Sequence, residues 1–138
     1  VTTREKAREL SADKNIEIQI ISYGFTRVDK GFMAAAPVPA AEKTLENAGL
    51  TLKDIKVIKT HNPFAANDLN MCKKMGLKPE DFNNYGSSMI FGHPQAPTAG
   101  RCIIEMIEEL VIRGGGYGLF TGCAAGDTGA GLIVKVTG

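Results

Sequence analysis

The stretch Gly86-Ser87-Ser88-Met89-Ile90-Phe91-Gly92-His93-Pro94-Gln95-Ala96-Pro97-Thr98-Ala99-Gly100 organises the reading of this chain. It runs from small residues through a short apolar segment into a histidine held between Gly92 and Pro94, and a helix follows. Pro94 lacks a backbone donor and fixes its own φ, while the glycines open conformations closed to other residues. A histidine on so constrained a turn is positioned rather than merely tolerated. Histidine is the side chain best suited to moving protons under physiological conditions.

Downstream, Thr98 to Arg113 carries the strongest helical pattern. Ile103, Ile104, Met106, Ile107, Leu110 and Val111 recur at helical spacing, and Gly114-Gly115-Gly116 ends the run. Two strands are predicted after it, Tyr117 to Thr121 and Gly131 to Val136, joined by a loop of small residues from Gly122 to Gly129. Upstream, Leu77 to Tyr85 reads as a polar connection. Before that, Asp54 to Lys59 is a strand ending in Thr60-His61-Asn62-Pro63-Phe64, then a helix whose buried side is Phe64, Leu69, Cys72 and Met75. A helix beginning at Pro39 has Ala40, Ala41, Leu45 and Ala48 on its apolar face and stops at Gly49. Gly24 to Pro39 has no clean period and reads as a loop. Ile16 to Ile20 alternates as a half-buried strand, and Thr3 to Asp13 reads as a short helix. Helices alternating with strands, closed by a hairpin, predict one α/β layered domain with a mixed sheet and covering helices.

Bulk composition agrees with one globular domain: 138 residues, 43% hydrophobic and 22% charged. Sixteen basic and fifteen acidic side chains leave a formal charge of +1. That balance offers no attraction to nucleic acid or a membrane surface, and neither is expected as a partner. No apolar run approaches the length of a membrane span, no signal peptide is visible, and a cytoplasmic location is expected. Three cysteines without CxxC or metal-ligand spacing point to a reducing compartment and to no metal site. The basic residues read as solvated on helix surfaces.

His61, His93 and Cys123 share a local context, each lying where a strand or tight turn hands over to a loop or helix. In open α/β sheets that edge binds ligands. A histidine beside a cysteine suits acyl chemistry, because the imidazole raises the thiolate fraction and the thiol serves as nucleophile or proton carrier. Taken singly, each has a plainer reading: His61 as a hydrogen-bonded structural histidine, Cys123 as a small buried apolar residue. Cys72 and Cys102 read as core residues. Gly122 to Gly129 lacks the Lys-Ser/Thr ending of a phosphate-binding loop and opens no helix.

Together these motifs resemble the C-terminal half of thiolases, enzymes that condense or cleave acyl-coenzyme A thioesters. Gly92-His93-Pro94 is similar to the family's GHP turn and Asn83-Asn84-Tyr85-Gly86-Ser87-Ser88 to the approach to it. Gly115-Gly116-Tyr117-Gly118-Leu119 resembles the GGxYGL entry to a strand, and Cys123-Ala124-Ala125-Gly126 the CxGG loop. Pro37-Val38-Pro39-Ala40 and Ala48 to Ile55 resemble the upstream helix and its turn. Departures also stand out. His61-Asn62-Pro63-Phe64 occupies the place of NEAF, with the histidine found in HEAF and HDCF branches. Ala96-Pro97-Thr98-Ala99-Gly100-Arg101 replaces a GASGAR-like run, and Asp127 a frequent glycine.

The resemblance implies that His93 activates the nucleophilic cysteine of the acyl-enzyme step, that Cys123 exchanges a proton with the substrate, and that His61 completes an oxyanion site. It implies further substrate or oxyanion groups at Ala125, Gly126 and Asn62. No cofactor is implied; coenzyme A thioesters are substrates. The nucleophilic cysteine belongs to an N-terminal half missing here, so the expectation is a C-terminal domain, residues 1–138, that is inactive alone and belongs to a homo-oligomer, dimer or tetramer. The alternative is a non-catalytic coenzyme A-binding or assembly subunit, favoured by Pro63, Ala96-Pro97 and Asp127. A condensing enzyme acting on carrier-protein thioesters is disfavoured by the Cys123 loop.

Overall fold

The computed structural model describes residues 1–138. In chain order the elements are α1 (Arg4–Leu10), β1 (Glu17–Arg27), α2 (Pro37–Ala48), β2 (Ile55–His61), α3 (Ala65–Met75), α4 (Ser88–Phe91), α5 (Pro97–Ile112), β3 (Gly116–Ala124) and β4 (Thr128–Thr137). The four strands form one sheet in the order β1-β4-β3-β2. β1 and β3 run antiparallel to β4, and β2 runs parallel to β3. This is the layered α/β domain with a mixed sheet that the pattern predicts.

Helix α2 lies on one face, over β1, β4 and β3, and α5 lies on the other, over β2 and β3. Beneath α5, Val57, Cys102, Met106, Leu110, Phe120, Val134 and Val136 form one buried cluster. Beneath α2, Ala41, Leu45, Leu119 and Ile133 form the second. Helix α2 can approach the sheet closely because β4 presents glycine there. A Cβ on Gly129 would sit 2.3 Å from the Ala36 carbonyl oxygen, and one on Gly131 2.3 Å from Thr44 Oγ1.

Four differences from the sequence expectation have physical causes. Strand β1 continues to Arg27 rather than ending at Ile20, because Ser22 to Arg27 pair with Ile133 to Thr128 of β4. Gly24, read as loop, is needed there: its missing Cβ leaves room for Thr44. Helix α3 buries only part of its expected apolar face, with Met75 packed against the cluster beneath α2. Phe64 and Leu69 are exposed, Cys72 and Met75 are half-buried, and Asn67 and Met71 are the buried residues. The polar connection before Tyr85 contains buried Phe82, and Asn83 caps the free edge of β2: its N–H donates to Ile58 O (3.0 Å) and its Oδ1 accepts from Thr60 N (2.8 Å). Finally, Lys59 is fully buried rather than solvated.

One region of the sheet stays open. Because α5 sits over β2 and β3, β1 exposes Ile20 (51%), Tyr23 (63%) and Phe25 (72%). An apolar groove of about 760 Å³ runs between α1, β1 and α5, lined in part by Ile18, Ile20, Ile103, Ile107 and Leu132. No helix is long and apolar enough to cross a membrane.

Candidate active site

His61 closes β2, and the parallel register sets it opposite Gly122 of β3. The match is steric as well as topological, since a Cβ on Gly122 would lie 3.0 Å from His61 Cβ. Cys123 follows Gly122 along β3. His93 comes from the other side, on the turn between α4 and α5. Gly92 there has φ +83°, a conformation that L side chains rarely adopt, and Pro97 opens α5 at its first position. Thr98 Oγ1, buried at the start of α5, lies 2.8 Å from His93 Nδ1 and holds the ring.

The imidazoles of His61 and His93 face one another with centroids 4.2 Å apart and planes tilted by 40°. Both line a cavity of about 290 Å³, together with Thr98, Phe120, Cys123 and Ala125. Three junctions of the chain thus deliver two imidazoles and a thiol to one concavity. The larger groove beside β1 carries no histidine or cysteine.

Two other expected site residues are not brought to it. Asn62 is buried with its amide engaged inside the protein: Oδ1 accepts from Ser88 N (3.1 Å) and Nδ2 donates to Asp68 Oδ2 (2.7 Å). Gly126, at φ +81°, forms the tip of the β3–β4 turn outside the cavity lining. Asp127 is accommodated in the same turn. It takes φ +59°, its carbonyl accepts from Val28 N (2.9 Å) and its Oδ1 accepts from Gly31 N (3.1 Å).

Loss of solvation sets the protonation of buried His61 and half-buried Cys123. For His61, loss of solvation, then the neighbouring His93 and the Arg101 charge, push the imidazole down to about 4, so it is neutral at physiological pH. For Cys123, burial pushes the thiol up, partly offset by the Asn67 amide, whose Nδ2 lies 3.7 Å from Sγ. Asn67 is itself fixed. Its Oδ1 accepts from Phe64 N (3.2 Å) and its Nδ2 donates to Ala34 O (3.0 Å), so the NH₂ end must face the sulfur.

The support behind the site is largely polar and was invisible to apolar patterning. Lys59 Nζ donates to Glu105 Oε2 (3.0 Å) and to Gly86 O (3.4 Å), and Arg101 Nη1 donates to Glu105 Oε1 (2.9 Å). Asn84 Nδ2 donates to Glu109 Oε1 (2.9 Å). These bonds tie the segment entering α4, at Asn84 and Gly86, to β2 and α5. Lys59 shares strand parity with Val57 and His61, which is the signal in the sequence that it points inward.

The profile of the family described as "Thiolase, C-terminal domain" matches residues 14–136. The chain belongs to the thiolase family. It is 35% identical over 137 residues to an acetyl-CoA acetyltransferase of Syntrophomonas wolfei, covering 98% of this chain and 34% of that protein. It is 38% identical over 151 residues to a 3-ketoacyl-CoA thiolase of Alteromonas mediterranea, covering 96% and 34%. Among solved structures, the Bacillus anthracis acetyl-CoA acetyltransferase superposes with a TM-score of 0.87 at 32% identity, over 97% of this chain and 34% of the other. Human mitochondrial 3-ketoacyl-CoA thiolase in complex with CoA superposes with 0.83 at 30% identity, over 87% and 30%. The chain therefore spans about a third of the length of the relatives it matches.

Proposed function

We infer that this chain forms the C-terminal part of a thiolase active site that condenses acyl-CoA thioesters, or cleaves 3-ketoacyl-CoA with coenzyme A. The observation that carries the reading is the shared cavity: His61, His93 and Cys123 line one space, while the larger groove beside β1 carries none of them. His93, on the exposed side, takes the proton from a nucleophilic cysteine contributed by the N-terminal region that the longer relatives possess. Cys123, protonated at rest because of its burial, gives and recovers the proton on the substrate α-carbon or the departing thiol. Neutral His61 offers an N–H to the thioester oxygen as negative charge develops, and the backbone N–H at Ala125 serves a second oxyanion. Such preorganised donors contribute about 3–4 kcal/mol each to transition-state stabilisation.

The assembled protein is a homo-oligomer on this reading, and the 138-residue chain alone does not turn over. The test is thiolysis of acetoacetyl-CoA by a polypeptide in which this chain replaces the corresponding third of the Syntrophomonas relative. Turnover well above that of the isolated chain supports the reading. A folded, CoA-binding hybrid with no turnover, beside an active parent, overturns it in favour of a non-catalytic binding or assembly subunit.

A further inference from the structure

We propose that Ser88 is a positioning residue that locks His61 in the tautomer carrying hydrogen on Nε2 and registers both histidines of the site at once. Ser88 Oγ lies 2.8 Å from His61 Nδ1, and both residues are buried, at 4% and 6% exposure. A neutral imidazole has one N–H and one lone pair, so the Nδ1 contact decides what Nε2 carries. The hydroxyl's other neighbour is the thiol of buried Cys102, a weak hydrogen-bond partner. Were Nδ1–H to donate to Ser88, the buried serine hydrogen would have only the weakly accepting Cys102 sulfur to donate to, the costlier arrangement. With the hydroxyl donating to Nδ1, every group in the contact is satisfied. The hydrogen then resides on Nε2, the remaining nitrogen of a ring that lines the cavity.

Ser88 is itself held from two sides. Its N–H donates to Asn62 Oδ1 (3.1 Å), and Asn62 is braced by Asp68 (2.7 Å). Its carbonyl accepts from Gly92 N (2.9 Å), the residue before His93. The hydroxyl therefore sets one imidazole while the carbonyl sets the turn that carries the other. This gives Asn62 a purpose: it is the brace for Ser88 rather than a substrate group. The charged and titratable groups around His61 are His93 on the turn, Arg101 on α5, Cys123 on β3 and, behind Ser88 and Asn62, Cys102 on α5 and Asp68 on α3. None of them is hydrogen-bonded to the His61 ring.

The inference rests on the reading of His61 as an oxyanion donor, but its test does not use catalysis. The chain has two histidines, so nitrogen NMR of the ¹⁵N-histidine-labelled 138-residue protein resolves both rings, with His93→Asn for assignment. The expected spectrum at neutral pH has His61 Nδ1 at the position of an unprotonated nitrogen and Nε2 at that of a protonated one. In Ser88→Ala the two resonances move toward each other as tautomers mix, and in Ser88→Thr they stay apart. A wild-type spectrum with hydrogen on Nδ1 overturns the proposal, as does an unchanged His61 spectrum in Ser88→Ala. If Ser88→Ala does not fold, the wild-type and Ser88→Thr spectra decide. Whether His61 acts on substrate is read separately, from the turnover of His61→Phe in the hybrid enzyme.

Discussion

At the level of single residues, burial acts in opposite senses on the two neighbours of His93. It weakens His61 as a base and Cys123 as an acid, leaving both uncharged at neutral pH. Each has a measurable consequence. Between the ordinary imidazole value of 6.5 and about 4, the unfolded chain binds a proton that the native His61 site rejects. The unfolded state then holds more protons, so stability falls as pH drops through that window. Thermal unfolding from pH 7 to 4 is expected to decline more steeply in the wild type than in His61→Asn; parallel profiles would contradict the assignment. For Cys123, the Asn67 N–H favours the thiolate. Asn67→Ala is expected to move the alkylation midpoint of Cys123 to higher pH, followed by mass spectrometry of that peptide so that Cys72 and Cys102 do not interfere. An unmoved midpoint would mean that the 3.7 Å contact has no electrostatic effect.

At the level of elements, the sequence pattern was legible wherever a segment carries its own period. Helix α5, with its apolar stripe and terminal glycines, and the β3–β4 hairpin follow from local spacing. What could not be read locally was decided by partners far along the chain. Ser22 to Arg27 becomes strand because β4 pairs with it, and α3 buries Asn67 because Ala34, Phe64 and Cys123 supply what its amide needs. The site divides in the same way. His61, His93 and Cys123 were nameable from their junctions, whereas Ser88 and Thr98 matter only through side-chain bonds that no period reveals, and Lys59 shows in the sequence only through its strand parity. The packing of α2 on β4 gives a direct stability prediction. In Gly129→Ala the new Cβ meets backbone, the Ala36 carbonyl, at 2.3 Å, and backbone cannot swing aside. A loss of about 1–3 kcal/mol or more is expected by denaturant titration. A change within about 0.5 kcal/mol would place it with ordinary surface substitutions and against the close approach.

At the level of the whole molecule, the half-covered sheet matters most. The β1 edge of the α5 face presents Ile18, Ile20, Tyr23 and Phe25 to solvent, beside the groove of about 760 Å³. Contiguous apolar surface of this kind belongs under another polypeptide. Because the matched relatives are about three times as long, the region they carry beyond this chain is the proposed cover. The 138-residue chain is therefore expected to self-associate in sedimentation experiments, and Ile20→Lys with Phe25→Lys to reduce that association. A clean monomer at high concentration would contradict it.

The central claim is that the cavity lined by His61, His93 and Cys123 performs acyl-transfer chemistry. It is tested most directly by acetoacetyl-CoA thiolysis in the hybrid enzyme with and without Cys123→Ala. A fall in kcat of about 10²–10⁴-fold, with folding and CoA binding retained, is the result predicted for loss of the proton carrier. Turnover unchanged by the substitution would contradict the account.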